Sequence, residues 1–309
     1  MSELEALAAI LAATLRAGTP LVFAAIGELV AERAGVLNLG VEGMMLVGAV
    51  AGFSVAVAAG DPALGVVAAV VAGAAMAALF GVVTLTLRAN QVASGLALTI
   101  FGVGLSAFAG LAYIGTPIKG IAPLAIPELS DLPVLGKLLF AHDALVYLSV
   151  VLAAAVAWFL GRTRAGLVLR AVGESHDVAH AMGYPVVAIR YAAVLFGGAM
   201  GGLAGAYLSL VYTPTWVENL TAGRGWIALA LVVFATWRPG RVLVGAWLFG
   251  GVTVAGLHAQ ASGLTVSPQL LATLPYLATV AVLVLLSRNA LRARLDAPAA
   301  LGRTFDPPA

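Results

Sequence analysis

Residues 33–49 read R-A-G-V-L-N-L-G-V-E-G-M-M-L-V-G-A, and they place a carboxylate at the mouth of a long apolar run. Apart from Glu42, every residue after Asn38 in this stretch is apolar or glycine. A carboxylate that faced lipid near mid-membrane would cost about 2.5–3.5 kcal/mol. We therefore expect Asn38 and Glu42 to face the protein interior at a broken membrane span, with Arg33 as a candidate charge partner for Glu42.

The composition of the whole chain is that of a membrane protein. The 309 residues are 62% hydrophobic and 10% charged, whereas a soluble domain carries roughly 25% charged residues. Only helices and closed barrels satisfy their backbone groups in lipid, and the long unbroken apolar runs favour helices. The sequence contains no cysteine, which excludes disulfides and thiolate metal sites. These features predict an all-α integral membrane protein.

The apolar runs predict about nine transmembrane helices, within a range of eight to ten. A span needs about 20 apolar residues, and Arg16 divides the first candidate, 6–26, into two short halves. The other expected spans are 37–59, 63–87, 91–114, 144–161, 191–212, 225–237, 242–258 and 270–287. Because 225–237 is short, we expect some segments to be broken or re-entrant.

The distribution of basic residues predicts the orientation in the membrane. Most of the 16 Lys and Arg residues lie in alternate connections and in the C-terminal tail, and such residues collect in the cytoplasm. The loop 162–190 and the C-terminus should therefore be cytoplasmic, and the loop 115–142 should lie outside. With nine crossings the N-terminus is outside. We expect one membrane domain over 1–288 and a disordered cytoplasmic tail over 289–309.

A short helix is predicted at the centre of the loop 162–190. Ser175 or Glu174 could cap a helix that ends near Met182, Gly183 suits a left-handed C-terminal residue, and Pro185 prevents continuation. Such a helix could dock on a cytoplasmic partner, although an ordinary basic loop that sets the topology would also explain the sequence.

The spacing of His176 and His180 would place both on one helical face, where they could hold a metal. Two polar residues on a solvated or partner-facing helix explain the same spacing, and no third histidine or cysteine ligand is near in the sequence.

Two further segments have both a functional and a structural interpretation. Asn90, Gln91 and Ser94 could hydrogen-bond a polar ligand, or Asn90 could simply cap the helix that begins there. Gly197, Gly201 and Gly205 form a strip that permits close helix packing, and packing inside the bundle is a simpler account than a gate or a subunit interface.

Motifs for enzymatic chemistry are missing from the sequence. There is no G-x-x-x-x-G-K-[ST], H-E-x-x-H or G-x-S-x-G pattern, so an enzyme is disfavoured. Carriers driven by protons use buried ionisable groups, and here Glu42 is nearly alone in the apolar runs. A self-contained secondary carrier stays an alternative.

Three segments resemble a family of bacterial ABC importer permeases that includes the ribose and branched-chain amino acid permeases. They are G-E-L-V-A-E-R-A-G-V-L-N-L-G-V-E-G-M-M-L-V-G-A at 27–49, R-T-R-A-G-L-V-L-R-A-V-G-E-S-H-D-V-A-H-A-M-G-Y-P at 162–185, and T-A-G-R-G-W-I-A-L-A-L-V-V-F-A-T-W-R-P at 221–239. The resemblance covers most of the chain in the family's order, and these three segments make it specific. The segment 27–49 is most similar to the subgroup for nucleosides or simple sugars.

This resemblance implies a type II-like permease bundle in the bacterial inner membrane. It implies a separate ATPase that holds ATP and magnesium, a second and different permease subunit, and an external substrate-binding lipoprotein or periplasmic protein. It implies neither a cofactor in this chain nor a nucleic-acid partner. The expected substrate is a nucleoside, and a simple sugar or a branched-chain amino acid is the alternative.

The resemblance also assigns roles to residues. Asn38 and Glu42 would face the translocation path, unless Glu42 only caps backbone amides at the break. The polar residues at the start of the fourth span join them as pathway candidates: Asn90, Gln91 and Ser94. The sequence itself offers Trp216, Glu218 and Arg224 as outer-side docking candidates, although an arginine at the membrane interface flanked by the tryptophans Trp216 and Trp226 would also explain this segment. The expected ATPase-coupling residues are Glu174, Ser175, His176, Asp177, Ala179, His180, Met182 and Gly183.

Overall fold

A computed structural model describes residues 3–124, 129–130, 132, 134–261 and 296–306, with isolated positions between 267 and 284. The described chain is almost entirely helical, and its β-structure consists of isolated bridges. The α-helices are α1 (Glu3–Arg33), α2 (Val41–Ala59), α3 (Pro62–Gly81), α4 (Gln91–Gly110), α5 (Ala144–Arg162), α6 (Arg164–Glu174), α7 (His176–Ala181), α8 (Val186–Tyr207), α9 (Arg224–Phe234) and α10 (Pro239–Ala261). Single π-helical turns extend α3 and α8, over Val82–Thr86 and Leu208–Tyr212.

Seven of these helices are long and apolar enough to cross a membrane: α1 to α5, α8 and α10. The prediction of an all-α membrane protein is therefore confirmed. Helix α9 has 11 residues and is only about 16 Å long at 1.5 Å per residue, too short to cross. The expected span 270–287 lies mostly outside the described residues, so the total of about nine stays a prediction.

The first helix differs from the sequence-based expectation. Instead of two short halves divided by Arg16, α1 is one continuous helix of 31 residues that also accommodates Pro20. A proline is tolerated inside a membrane helix when neighbouring helices and side chains compensate for the freed backbone carbonyl. Helix α1 packs on α5, α8, α9 and α10, and its residues 17–32 are buried.

Helix α8 is the most buried of the spans and packs closely on α1, α2 and α3. Glycines make these approaches possible: a methyl group at Gly202 would overlap the Ala69 carbonyl oxygen, and one at Gly205 would overlap the Met45 carbonyl oxygen. Gly197 likewise faces Gly27 of α1. The glycine strip therefore packs within the bundle, as the structural interpretation of the sequence predicted.

The connections predicted to share one side do meet at one end of the bundle, which we call the basic end. There α1 passes into α2, α3 into α4, α5 into α8 through α6 and α7, and α9 into α10. Residues 296–306 pack onto this end, with Ala300 and Phe305 buried. The expected disordered tail is thus wrong for 296–306, because their backbone and apolar side chains have partners; 289–295 and 307–309 lie outside the described residues.

Candidate functional site

A non-helical segment of residues 34–40 separates α1 from α2, and we call it the break. Asn38 is fully buried there. Its N–H donates to Glu28 Oε1 at 3.0 Å, its side-chain oxygen accepts from the Gly40 N–H at 2.9 Å, and its side-chain nitrogen contacts the Met44 sulfur at 3.5 Å. The Asn38 amide therefore closes a local turn and has protein partners for both of its ends.

Helix α4 holds the break from the other side. The Leu37 N–H donates to Gln91 Oε1 at 2.8 Å, and the Thr99 hydroxyl donates to the Leu39 carbonyl at 2.9 Å. Gln91 is buried, and its nitrogen donates to the Arg303 carbonyl at 3.2 Å. Both ends of the Gln91 amide are thus used in holding the backbone of the break and of the tail together.

The other two pathway candidates at the start of α4, Asn90 and Ser94, lie in different surroundings. Asn90 is the N-cap, and its side-chain oxygen accepts from the Ala93 N–H at 3.0 Å, as the structural interpretation predicted. Ser94 lines a groove of about 440 Å³ between α3 and α4 whose other lining residues are apolar: Leu79, Phe80, Val83, Ala93, Ala97, Leu98 and Phe101. The structure therefore does not bring Asn90 or Ser94 together with Asn38.

Glu42 in the first turn of α2 meets the N-terminus of α9. Its Oε1 accepts hydrogen bonds from the Thr221 hydroxyl at 2.5 Å and the Gly223 N–H at 2.8 Å, and its Oε2 accepts from the Gly225 N–H at 2.5 Å. A carboxylate is favourable at the positive end of a helix dipole, and the first N–H groups of a helix need such partners. This geometry supports the capping role for Glu42.

Arg33 does not pair with Glu42, which corrects the charge partner suggested by the sequence. Its guanidinium donates to the Trp237 carbonyl at 3.0 Å and to the Asp296 carbonyl at 3.2 Å, at the basic end. The reason is direction: α1 ends at Arg33, and the break then carries the chain back into the bundle before Glu42.

The three candidates for docking on the outer side differ in their exposure. Trp216 is fully buried and packs on Gly110, so it is not an exposed docking residue. Arg224 is half-buried; it donates to the Thr221 carbonyl at 3.2 Å, and its guanidinium lies 5.9 Å from the Tyr212 ring centre. Glu218 alone of the three is exposed.

The short helix in the loop 162–190 is confirmed as α7. Ser175 is its N-cap and accepts from the Val178 N–H at 3.3 Å, while Gly183 has a φ of +85° after the helix. His176 and Ala179 are buried, so they face the bundle and not a partner. The exposed residues of α7 and its C-terminal turn are Asp177, Val178, Ala181, Met182 and Gly183.

Burial sets the protonation of His176, which lies outside the membrane-spanning helices. Removal from water, followed by the charge of the nearby Arg190 guanidinium, lowers the pKa of His176 to about 4, although Asp177 opposes the shift. The imidazole is therefore neutral near pH 7. Among the residues the structure describes, no group of three His, Cys, Asp or Glu side chains could hold a metal.

Comparison with known proteins identifies the family. A family model described as "branched-chain amino acid transport system / permease component" matches residues 10–286. The chain belongs to this family of permeases. A putative glucose ABC transporter permease of Haloferax volcanii is 42% identical to the permease, over 97% of this chain and 98% of the relative. No solved structure matches it significantly.

Two other relatives carry nucleoside names. A nucleoside ABC transporter permease of Lactococcus lactis is 33% identical over 96% of this chain and 98% of its own length. A guanosine ABC transporter permease of Bacillus subtilis is 35% identical over 81% of this chain and 82% of its own length. Permeases of this family are transporter subunits without a catalytic site of their own.

Several residues that shape the site in the permease were missed by the sequence analysis. Thr221, Gly223 and Gly225 hold Glu42, although they are 179 or more positions away. Val178 belongs to the exposed face of α7 with 60% of its surface accessible, beside Met182 at 66%. The spacing of four between Val178 and Met182 could have revealed this pair, because residues four apart share a helical face.

Proposed function

We propose that this permease is the membrane subunit of an ATP-driven importer and that its basic end faces the cytoplasm. Basic residues in membrane proteins collect on the cytoplasmic side, and the Arg-rich connections of this chain all meet at that end. A separate ATPase would bind there. ATP and magnesium would belong to that subunit.

The exposed face of α7 is the single observation that carries this proposal. Val178 and Met182 expose large apolar surfaces on a short helix whose opposite face, His176 and Ala179, is buried. A projecting apolar surface on a firmly seated base is suited to insertion into a groove of a partner protein. Asp177 and Gly183 would border the contact.

A nucleoside is the proposed substrate. The relatives from Lactococcus lactis and Bacillus subtilis, whose names specify a nucleoside and guanosine, support it. A simple sugar is the second candidate, because the relative from Haloferax volcanii is named as a putative glucose permease and is 42% identical. Both substrates present a polyhydroxylated ring.

The complete importer would contain a second, different permease and an external substrate-binding lipoprotein or periplasmic protein. The apolar, exposed faces of α3, α4 and α10 leave ample surface for lipid and for a second permease. The external protein would dock at the end opposite to the basic end, where Glu218 is exposed.

Uptake by the reconstituted complex tests the proposal. The permease, its companion permease, the ATPase and the binding protein would be placed in proteoliposomes with radiolabelled guanosine or glucose. We expect ATP-dependent uptake of guanosine that an excess of glucose does not inhibit. ATP-dependent uptake of glucose without uptake of guanosine would favour the sugar. Uptake by the lone permease, driven by an ion gradient without ATP, would instead indicate a secondary carrier.

A further inference from the structure

Residues 296–306, which we call the strap, tie several connections of the basic end together. The Ala300 N–H donates to the Gly173 carbonyl at the end of α6 at 2.9 Å, and the Gly302 N–H donates to the Gly35 carbonyl in the break at 3.2 Å. The strap is therefore bonded through its backbone both to the base of α7 and to the break.

Side chains from α1, the α3–α4 connection, α4 and α8 also bind the strap. The Arg303 carbonyl accepts from Gln91 at 3.2 Å and from Arg190 at 3.0 Å, the Asp296 carbonyl accepts from Arg33, and Asp306 pairs with Arg88. Arg190 is buried and also donates to the Gly35 carbonyl at 3.2 Å. One guanidinium thus holds both the strap and the break.

Phe305 is the apolar anchor of the strap. Only 5% of its surface is exposed. Its ring centre lies 5.8 Å from that of His176 and 5.5 Å from that of His180, and it packs in a small cluster with Val172, Ala179 and Val186. The inner face of α7 therefore rests on Phe305.

The base of α7 also touches the break directly. A methyl group at Gly173 would overlap the Arg33 carbonyl oxygen, and one at Gly35, where φ is +81°, would lie 2.8 Å from His176 Nε2. Glycine is required at both positions, because the two backbones approach closely and because the φ of Gly35 is unfavourable for other residues. A displacement of α7 would therefore be transmitted to the break.

We propose that the strap fixes α7 to the break and that Phe305 is a positioning residue for α7, so that a movement imposed on α7 reaches the segment that contains Asn38 and leads into α2 and Glu42. The transport consequence rests on the proposed function, in which α7 contacts the ATPase. The mechanical link rests only on this chain. The two parts can therefore be tested separately.

Spin-label distances in the isolated full-length permease in nanodiscs test the mechanical link. Because the sequence contains no cysteine, Ala181→Cys and Gly240→Cys would be labelled specifically, and both positions are exposed at the basic end. We expect one narrow distance distribution for the otherwise unchanged protein, a broad or shifted one for Phe305→Ala, and partial recovery of the narrow peak for Phe305→Leu. An unchanged distance distribution in Phe305→Ala would overturn the proposal that the strap positions α7.

The adjacent exposed residue provides a matched control: Thr304→Ala should leave the distribution narrow. If Phe305→Ala does not yield monodisperse protein, His180→Ala is the alternative variant. It removes the half-buried imidazole ring that contacts Phe305, and the same broadening is expected. A narrow peak in that variant would count against the strap.

A second arm measures coupling in the reconstituted importer. Phe305→Ala should lower the solute transported per ATP hydrolysed several-fold while the ATPase still associates, and Thr304→Ala should not. An unchanged ratio would contradict the role in coupling. If no variant binds an ATPase, and the unchanged permease does not bind one either, the proposed function is refuted. The role of the strap is then tested by the distance measurement alone.

Discussion

Glu42 Oε2 lies 2.5 Å from the Gly225 nitrogen, so the first turn of α2 directly caps the first turn of α9. Gly225 has no room for a side chain, since a methyl group there would lie 2.6 Å from the same carboxylate. The first turns of α2 and α9, which are far apart in sequence, thus meet at the buried carboxylate of Glu42.

Glu42→Gln should destabilise the permease by about 1–3 kcal/mol, because an amide supplies one acceptor where the carboxylate serves three donors, and a buried N–H left without a partner is costly. The charge that complements the α9 dipole is lost as well. Thermal unfolding of the purified protein would measure the loss.

Glu218→Gln is the matched control for Glu42→Gln, since Glu218 is exposed in the segment that leads to α9, and it should unfold like the unchanged protein. Full stability of Glu42→Gln combined with lost transport would contradict the capping role and favour direct contact with the solute.

Gly202→Ala should destabilise the bundle by about 1–3 kcal/mol through overpacking, because the added methyl group would overlap the Ala69 carbonyl oxygen. Gly104→Ala in α4 is its control: no atom lies within 4 Å of the added methyl group there, and alanine is the better helix former. Unfolding in a denaturing detergent would compare the two, and equal stability would contradict the close packing of α8 on α3.

Replacing both Val178 and Met182 with serine should weaken ATPase binding about tenfold or more, because two apolar side chains leave the proposed contact. The stability of the permease itself should not change, since both residues are exposed. Binding of the purified ATPase to permease nanodiscs would measure the effect. Leu167→Ser, on the exposed face of α6, is the control, and equal effects of both changes would refute a specific α7 contact.

His176 predicts a pH dependence of stability. Its pKa is about 4 in the folded protein and near 6.5 when unfolded, so the unfolded chain binds a proton first as the pH falls. Stability is fully present above about pH 6.5 and decreases between about 6.5 and 4. Unfolding temperatures across this range should show a smaller slope for His176→Asn; an equal slope would assign the effect to other groups.

Much of the helical framework could be predicted from local sequence. The caps Asn90 and Ser175 and the left-handed Gly183 follow from the chemistry of three or four neighbouring residues, and the basic connections follow from charge counting. These features depend on short-range geometry, which the order of the residues expresses directly.

The partners of the buried polar groups could not be predicted in the same way. Glu42 and Gly225 are 183 positions apart. The local sequence R-A-G-V-L-N-L-G-V-E does not reveal that Arg33, the nearest basic residue, points away from Glu42. The tail 289–309 was expected to be disordered because of its alanine and proline, yet Phe305 packs in a hydrophobic cluster with residues of α6, α7 and α8. Long-range packing decides both cases.

Purification of the tagged permease from its native membrane in mild detergent, followed by mass spectrometry, would show whether this chain is a subunit of an ATP-driven importer. We expect a soluble P-loop ATPase and a second homologous permease in the complex, and loss of the ATPase from the Val178 and Met182 double variant. A permease that purifies alone, under conditions in which a control ABC complex stays intact, would contradict this expectation.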